Sequence, residues 1–245
     1  MKRTVNHIFL DEFEQHYISL RRKESRLYTD EELTRLPVIA KTHTNYAEWN
    51  FRGISCRKLL AYIHNSSKAQ SILEVGCGNG WLSAKLASVT TGTVTGTDIN
   101  TTELEQAARV FNKQQNLSFF HCDIRDEFPG NKKFDIMVFA ASIQYFSPLK
   151  EILDVALALL NPSGEIHILD SHFYRKSEIE AARQRTKNYY ASMAFDVLSN
   201  YYYHHSMEEL DQYHHKILFD PYSWKNKLSI SKNPFHWIVI KKKAD

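Results

Sequence analysis

The stretch Gln70-Ser-Ile-Leu-Glu-Val-Gly-Cys-Gly-Asn-Gly-Trp-Leu82 constrains this chain more than any other, because an apolar strand runs into three glycines spaced one residue apart. Gly76, Gly78 and Gly80 tolerate positive φ and carry no side chain, so a ligand can come directly against the backbone where a helix begins. Such a strand-turn-helix is a nucleotide-binding loop. The dinucleotide form, G-x-G-x-x-G/A, needs a last small residue at position 81 so that helix and strand pack closely. Position 81 is Trp, which disfavours a nicotinamide-dependent oxidoreductase.

After residue 70 short apolar strands alternate with helical segments, the signature of βα units and a largely parallel sheet. The expected strands are 71–75, 93–98, 117–122, 134–140 and 164–170, with a last one over 234–241. Leu82, Leu86 and Val89 make the buried stripe of the first intervening helix, and Leu104, Ala108 and Phe111 that of the second. Two further helices, from Val5 to about Arg22 and from about Asn45 to His64, precede the sheet and are separated by a break at Leu36-Pro37. The expected fold is therefore α/β: a doubly wound, mostly parallel sheet of about seven strands in residues 67–245. An N-terminal helical cap (1–66) packs on or over the site, and an aromatic-rich helical insertion spans about 174–212.

In a doubly wound sheet ligands sit beyond the carboxyl ends of the strands, so residues just after each strand carry most weight. Strand 93–98 ends in Asp98, 22 residues after Gly76, where a carboxylate can accept hydrogen bonds from a ribose diol; the competing role is an N-cap for the helix near Thr101. Ile99 would lie against an adenine face. Glu74 before the glycines, the spacing of Gly76, Gly78 and Gly80, then Asp98, Asp123 and Ile124 together resemble the class I S-adenosylmethionine-dependent methyltransferases over about residues 70–171. That resemblance implies S-adenosylmethionine as cofactor, Asp123 accepting the adenine amine with the Ile124 amide beside the ring, and Ala140 and the backbone after it holding the methionine amine. Cys77 lies within the loop as a small buried residue. In the second helix Arg52 could pair with the methionine carboxylate and Trp49 could cover the sulfonium by cation–π attraction; the alternative for Arg52 is an ion pair with Glu48.

Methyl transfer needs little beyond in-line positioning, so no catalytic residue is obligatory. Tyr145 is a candidate for the transfer channel and His172 for a general base, since an imidazole with pKa near ~6.5 is partly neutral at pH 7. Tyr174, Tyr190, Tyr203, His204 and His205 are candidates for an acceptor pocket, with helix packing as the competing role. The pairs His204-His205 and His214-His215 do not read as a metal site, because adjacent helical residues diverge by about 100°. Methyltransferases of bases or Gln side chains often carry an Asn/Asp-Pro-Pro-aromatic box after the fourth strand, and this chain reads Ala140-Ala-Ser-Ile143.

The net charge of +3 over 245 residues and the short basic runs, Arg21-Arg22-Lys23 with Arg26 and Lys241–Lys243, read as a solvated helix face and a charged tail, which argues against a nucleic-acid partner. Three widely spaced cysteines without a CxxC pattern suit a reducing cytoplasm. No apolar run approaches the ~20 residues of a membrane helix. The expected protein is a cytoplasmic monomer or homodimer that methylates an O, N or C atom of a small molecule. A non-catalytic binding protein that kept the cofactor fold is the rival.

Overall fold

The computed structural model describes residues 3–65, 70–126, 128, 132–228 and 232–242. Helices α1 (Arg3–Lys23), α2 (Asp30–Arg35) and α3 (Tyr46–His64) precede β1 (Ile72–Val75). Then follow α4 (Trp81–Ala87), β2 (Val94–Asp98), α5 (Thr101–Val110), β3 (Leu117–His121), β4 (Phe134–Ala140), α6 (Leu149–Leu159) and β5 (Leu160–Leu169). The chain closes with β6 (Phe173–Tyr174), α7 (Ile179–Ser192), β7 (His205–Ser206), β8 (His215–Phe219), α8 (Trp224–Lys227) and β9 (Trp237–Lys241). The seven-stranded sheet has the order β3-β2-β1-β4-β5-β9-β8. β1 to β5 pair in parallel, and β9 runs antiparallel between β5 and β8.

The strands read as continuous apolar runs because both faces of the sheet are covered. Along β4, Ile136 and Val138 join a core with Leu59 and Ile63 of α3 and Leu82 and Leu86 of α4, while Met137 and Phe139 join one with Ile152, Leu153 and Ala156 of α6. The period of two in a strand sends alternate side chains to the two layers. α3 thus shares its core with the sheet. The division between cap and sheet expected at residues 66 and 67 falls outside the described residues.

The six expected strands are present with small shifts of their ends. The seventh, β8, lies at the sheet edge with a half-exposed face, so its sequence, His-Lys-Ile-Leu-Phe, has neither a continuous apolar run nor a clean alternation. In α5 the buried residue beside Leu104 is Ala107, and Ala108 is exposed. A helix that starts one residue off the assumed phase turns its stripe by about 100°. The described side chains of α1 begin at Glu12, so Phe9 lies outside them.

Candidate active site

β1 sits where the sheet order reverses, with β2 on one side and β4 on the other, so the turn after it opens into the crevice at the switch point. The turn needs glycine at Gly76: φ is +70° and a Cβ there would lie 2.5 Å from Cβ of Ser142. The Ser142 hydroxyl donates to the Val75 carbonyl at 2.6 Å, which locks the turn after β4 against the end of β1. The loop, the ends of β2 and β4, and side chains from α1 and α3 line a cavity of about 390 Å³.

Asp98 closes one side of this cavity. Its Oδ2 accepts from the Gly78 amide at 2.7 Å and its Oδ1 from the Asn100 amide at 2.9 Å, so it fixes the glycine loop. The N-cap of α5 is Asn100, whose side chain accepts from the Glu103 amide, and Asp98 is left free of that role. A carboxylate has about four acceptor positions, so with the Ile99 amide also acting on it Asp98 keeps room to accept from a ligand hydroxyl. Glu74 accepts a hydrogen bond from the Ser83 hydroxyl, and burial pushes its pKa up to about 8. Glu103 is pushed up to about 7 by burial, against the pull of Arg21. Burial also raises Asp98, against the amides that hold it.

The cationic side of the cavity comes from the N-terminal helices. Arg26 and Arg52 both meet Glu48, at 2.6 Å and 3.1 Å, and despite its burial they hold that carboxyl down at about 2. Arg21 donates to the Tyr17 hydroxyl and lies 3.7 Å from Glu24. A second cavity, about 540 Å³, adjoins the first; Tyr17, Arg21, Arg26, Arg52, Ala141 and Tyr145 border both. Its far walls are Tyr189, Tyr190, Tyr202, His172, Phe235, Arg185 and Asp170. A backbone bond from the Tyr203 amide to the Gln144 carbonyl at 2.7 Å straps the segment after α7 to the turn carrying Tyr145.

Residues 72–164 match the family model described as a methyltransferase domain. That stretch is similar to a methyltransferase domain, and it lies on a sheet of the class I methyltransferase fold. Over 128 residues, 52% of this chain, it is 31% identical to malonyl-[acyl-carrier protein] O-methyltransferase 1 of Ilyobacter polytropus, and that match covers 47% of the relative. The chain therefore spans about half the length of the curated relatives it matches. Two solved structures share the fold at low identity. Magnesium protoporphyrin IX methyltransferase from Synechocystis PCC 6803, solved with bound SAH, superposes with a TM-score of 0.62 at 11% identity, over 97% of this chain and all of that one. The plantazolicin methyltransferase BpumL, in complex with a substrate analogue and SAH, superposes at 0.54 and 17%, over 97% and 99%.

Glu74, Gly76, Cys77, Gly78, Asp98, Ile99, Asp123, Ile124 and Ala140 all line the first cavity, as do Trp49, Arg52, Tyr145 and Tyr203. Gly80 does not: a Cβ there would lie 2.6 Å from the Phe119 ring, so this glycine serves the packing of α4 on β3. Arg125 holds the Asp123 carboxylate at 2.5 Å and 3.0 Å. Arg52 forms the ion pair with Glu48 and also borders both cavities. His172 and Tyr190 line the second cavity. Tyr174, His204 and His205 line neither. Tyr174 stands behind His172, ring to ring at 5.7 Å, where it hydrogen-bonds with Arg185. The His204 ring meets the Thr186 hydroxyl at 2.8 Å, and His205 meets the Ile143 carbonyl at 3.2 Å, so both are drawn into packing. Among the described residues no group of three His, Cys, Asp or Glu is placed to hold a metal ion.

The basic run near the N-terminus is a correction to the sequence reading: Arg21 and Arg26 turn into the site instead of forming a solvated face. The available signal was position, since Arg21 follows Phe13 and Tyr17 at helical spacing on the apolar stripe. Glu103 and Arg185 were also missed, because nothing in their local sequence marks them; Asp170 was missed although it ends the expected strand 164–170, the position that marks Asp98. The three cysteines are poor nucleophiles; burial raises Cys77 well above its ordinary value and Cys56 to about 12.

The buried carboxyls set a pH dependence of stability. Glu74 titrates near 4.5 when unfolded and near 8 when folded, so across that interval the folded chain holds one more proton and stability falls as pH rises. The buried histidines His167, His172, His204, His205 and His236 have lowered values and act oppositely up to and just above their ordinary value of 6.5, while Glu103, raised to about 7, adds to the carboxyl side. Comparison with Glu74→Gln, which keeps the Ser83 bond, isolates Glu74. From pH about 6.5 to about 8, at about 1.36 kcal/mol per unit, the ligand-free wild type should lose about 1.5 to 2 kcal/mol more stability than the variant. Urea unfolding of both at the two pH values checks this; equal pH dependences would assign the loss to another group.

Proposed function

We propose that the chain is an S-adenosylmethionine-dependent methyltransferase whose first cavity takes the cofactor and whose second takes a small-molecule acceptor. The observation that carries this reading is the joining of a glycine-floored cavity to an aromatic one across Ala141, Tyr145 and Arg52. Both volumes fall in the range of small-ligand sites. Gly76 lets the glycine loop turn tightly against Ser142 at the cavity floor, Asp98 keeps an acceptor position for a ribose diol, and Asp123 with Ile124 borders the adenine end. Arg52, with Trp49 5.2 Å beneath its guanidinium, faces the methionine end, and Ala140 ends the strand beside it.

When bound, the cofactor supplies an electrophilic methyl group: a bond forms from the acceptor O, N or C to that carbon as the carbon–sulfur bond breaks, and the sulfonium becomes a neutral thioether. The chain's own task is to align and desolvate the reactants. Tyr145 stands at the junction, and His172 presents an imidazole that burial keeps neutral to the acceptor side. We treat residues 1–66 as the cap and about 174–212 as the acceptor-binding insertion, since each supplies side chains to the second cavity. No described helix is long and apolar enough to cross a membrane, and with three free cysteines we place the protein in the cytoplasm, as a monomer or homodimer.

Calorimetry tests the cofactor and a metabolite panel tests the turnover. S-adenosylmethionine should bind and NAD should not, and at least one acceptor should yield S-adenosylhomocysteine. NAD binding in its place would support an oxidoreductase. Tight cofactor binding with no product from a broad panel would support the non-catalytic rival.

A further inference from the structure

Two opposite charges border the second cavity without an ion-pair partner among the described residues, the buried Asp170 and the exposed Arg185. Asp170 follows β5 directly and is nine-tenths buried in the cavity wall. Its backbone is left-handed, with φ of +53°, a conformation that costs energy for a residue with a side chain and collects at functional positions. The Ser55 hydroxyl serves the carboxyl, yet Oδ1 has no hydrogen-bond partner among the described residues. The nearby Arg52 is committed to Glu48. Asp170 also lies at the junction of the two cavities, because the Leu169 carbonyl before it accepts the amide of Ala141, a residue that borders both.

The opposite charge is Arg185 on α7. Arg21, Arg26 and Arg52 each have a carboxylate within 4 Å, at Glu24 or Glu48, whereas Arg185 has none among the described residues. Its recorded partner is the neutral Tyr174 hydroxyl, and its positive charge opposes protonation of His172 and His204. The same cavity is lined by the rings of Tyr145, Tyr190, Tyr202 and Phe235.

We propose that this cavity selects a planar, carboxylate-bearing acceptor whose hydroxyl or amine donates to Asp170 and whose carboxylate pairs with Arg185. This rests on the cofactor reading above and adds the acceptor class. The donor group at Asp170 is the one methylated, since it stands at the cofactor junction. As its oxygen or nitrogen bonds to the methyl carbon and the carbon–sulfur bond breaks, its proton passes to the Asp170 carboxylate. A buried carboxyl whose pKa burial raises to about 6, against the pull of Arg52, is still ionised near pH 7 and is a stronger proton acceptor than an exposed one.

The test uses the full chain saturated with S-adenosylhomocysteine and four probes: 4-hydroxybenzoate, 4-aminobenzoate, benzoate and 4-hydroxybenzamide. The first two should bind at least about tenfold more tightly than benzoate, which lacks the donor, and than the benzamide, which lacks the anion. Arg185→Gln should erase the preference over the benzamide alone, and Asp170→Asn the preference over benzoate alone. Retained S-adenosylhomocysteine affinity in each variant shows that it is folded. Equal binding of the four probes, no binding of any, or preferences that survive both substitutions would overturn the acceptor class while leaving the cofactor reading in place. Failure of S-adenosylhomocysteine to bind the unsubstituted chain would overturn both.

Discussion

Gly76→Ala is expected to destabilise the protein by about 1 to 4.5 kcal/mol and to push the glycine loop away from Ser142. The left-handed backbone costs a residue with a Cβ about 1–2 kcal/mol. The new methyl would lie 2.5 Å from Cβ of Ser142, an overpacking worth about 1–3 kcal/mol more, and the entropy gained by removing a glycine returns about 0.4–1 kcal/mol. Urea midpoints check the stability and calorimetry the binding. A Gly76→Ala, Ser142→Gly double variant should recover the packing part and keep the backbone part. Stability equal to wild type in the single variant would mean that this turn rearranges freely.

Asp98→Ala should weaken S-adenosylmethionine binding by roughly 1 to 3 kcal/mol, about five- to 150-fold in the dissociation constant. Two losses combine in it: the ribose loses its acceptor, and the amides of Gly78 and Asn100 lose the carboxylate that holds the glycine loop. Asp98→Asn separates them in part, since its side-chain oxygen can still accept from one amide. An unchanged affinity in Asp98→Ala would remove Asp98 from the site.

The first cavity was legible because most of its residues outside α1 and α3 lie at or just after the carboxyl end of a strand. An apolar run ending in Gly76, Asp98, Asp123 or Ala140 announces both the strand and the position at its carboxyl end, and in this topology that end is the site. The acceptor half was legible only in outline. The aromatic insertion was visible, yet which of its residues face the cavity depends on the rotation of α7 and on the strap from Tyr203 to Gln144. Tyr190 turned inward, while Tyr174, His204 and His205 were taken up by packing. Arg21 and Arg26 looked like solvated charge because a basic run at a helix end has the same composition whichever way it points.

By itself the sequence determined the sheet, the glycine turn and the carboxylate at the end of β2 that faces the first cavity, since all of these follow from local spacing of a few residues within one βα unit. Only the tertiary structure decided how charge is matched across the site. Whether an arginine or an aspartate has a partner depends on segments far apart in the chain: Glu48 on α3 neutralises Arg26 and Arg52, while Asp170 after β5 and Arg185 on α7 border the second cavity without an ion-pair partner among the described residues. Pairing at that distance leaves no periodicity in the sequence, because the fold alone brings the groups together.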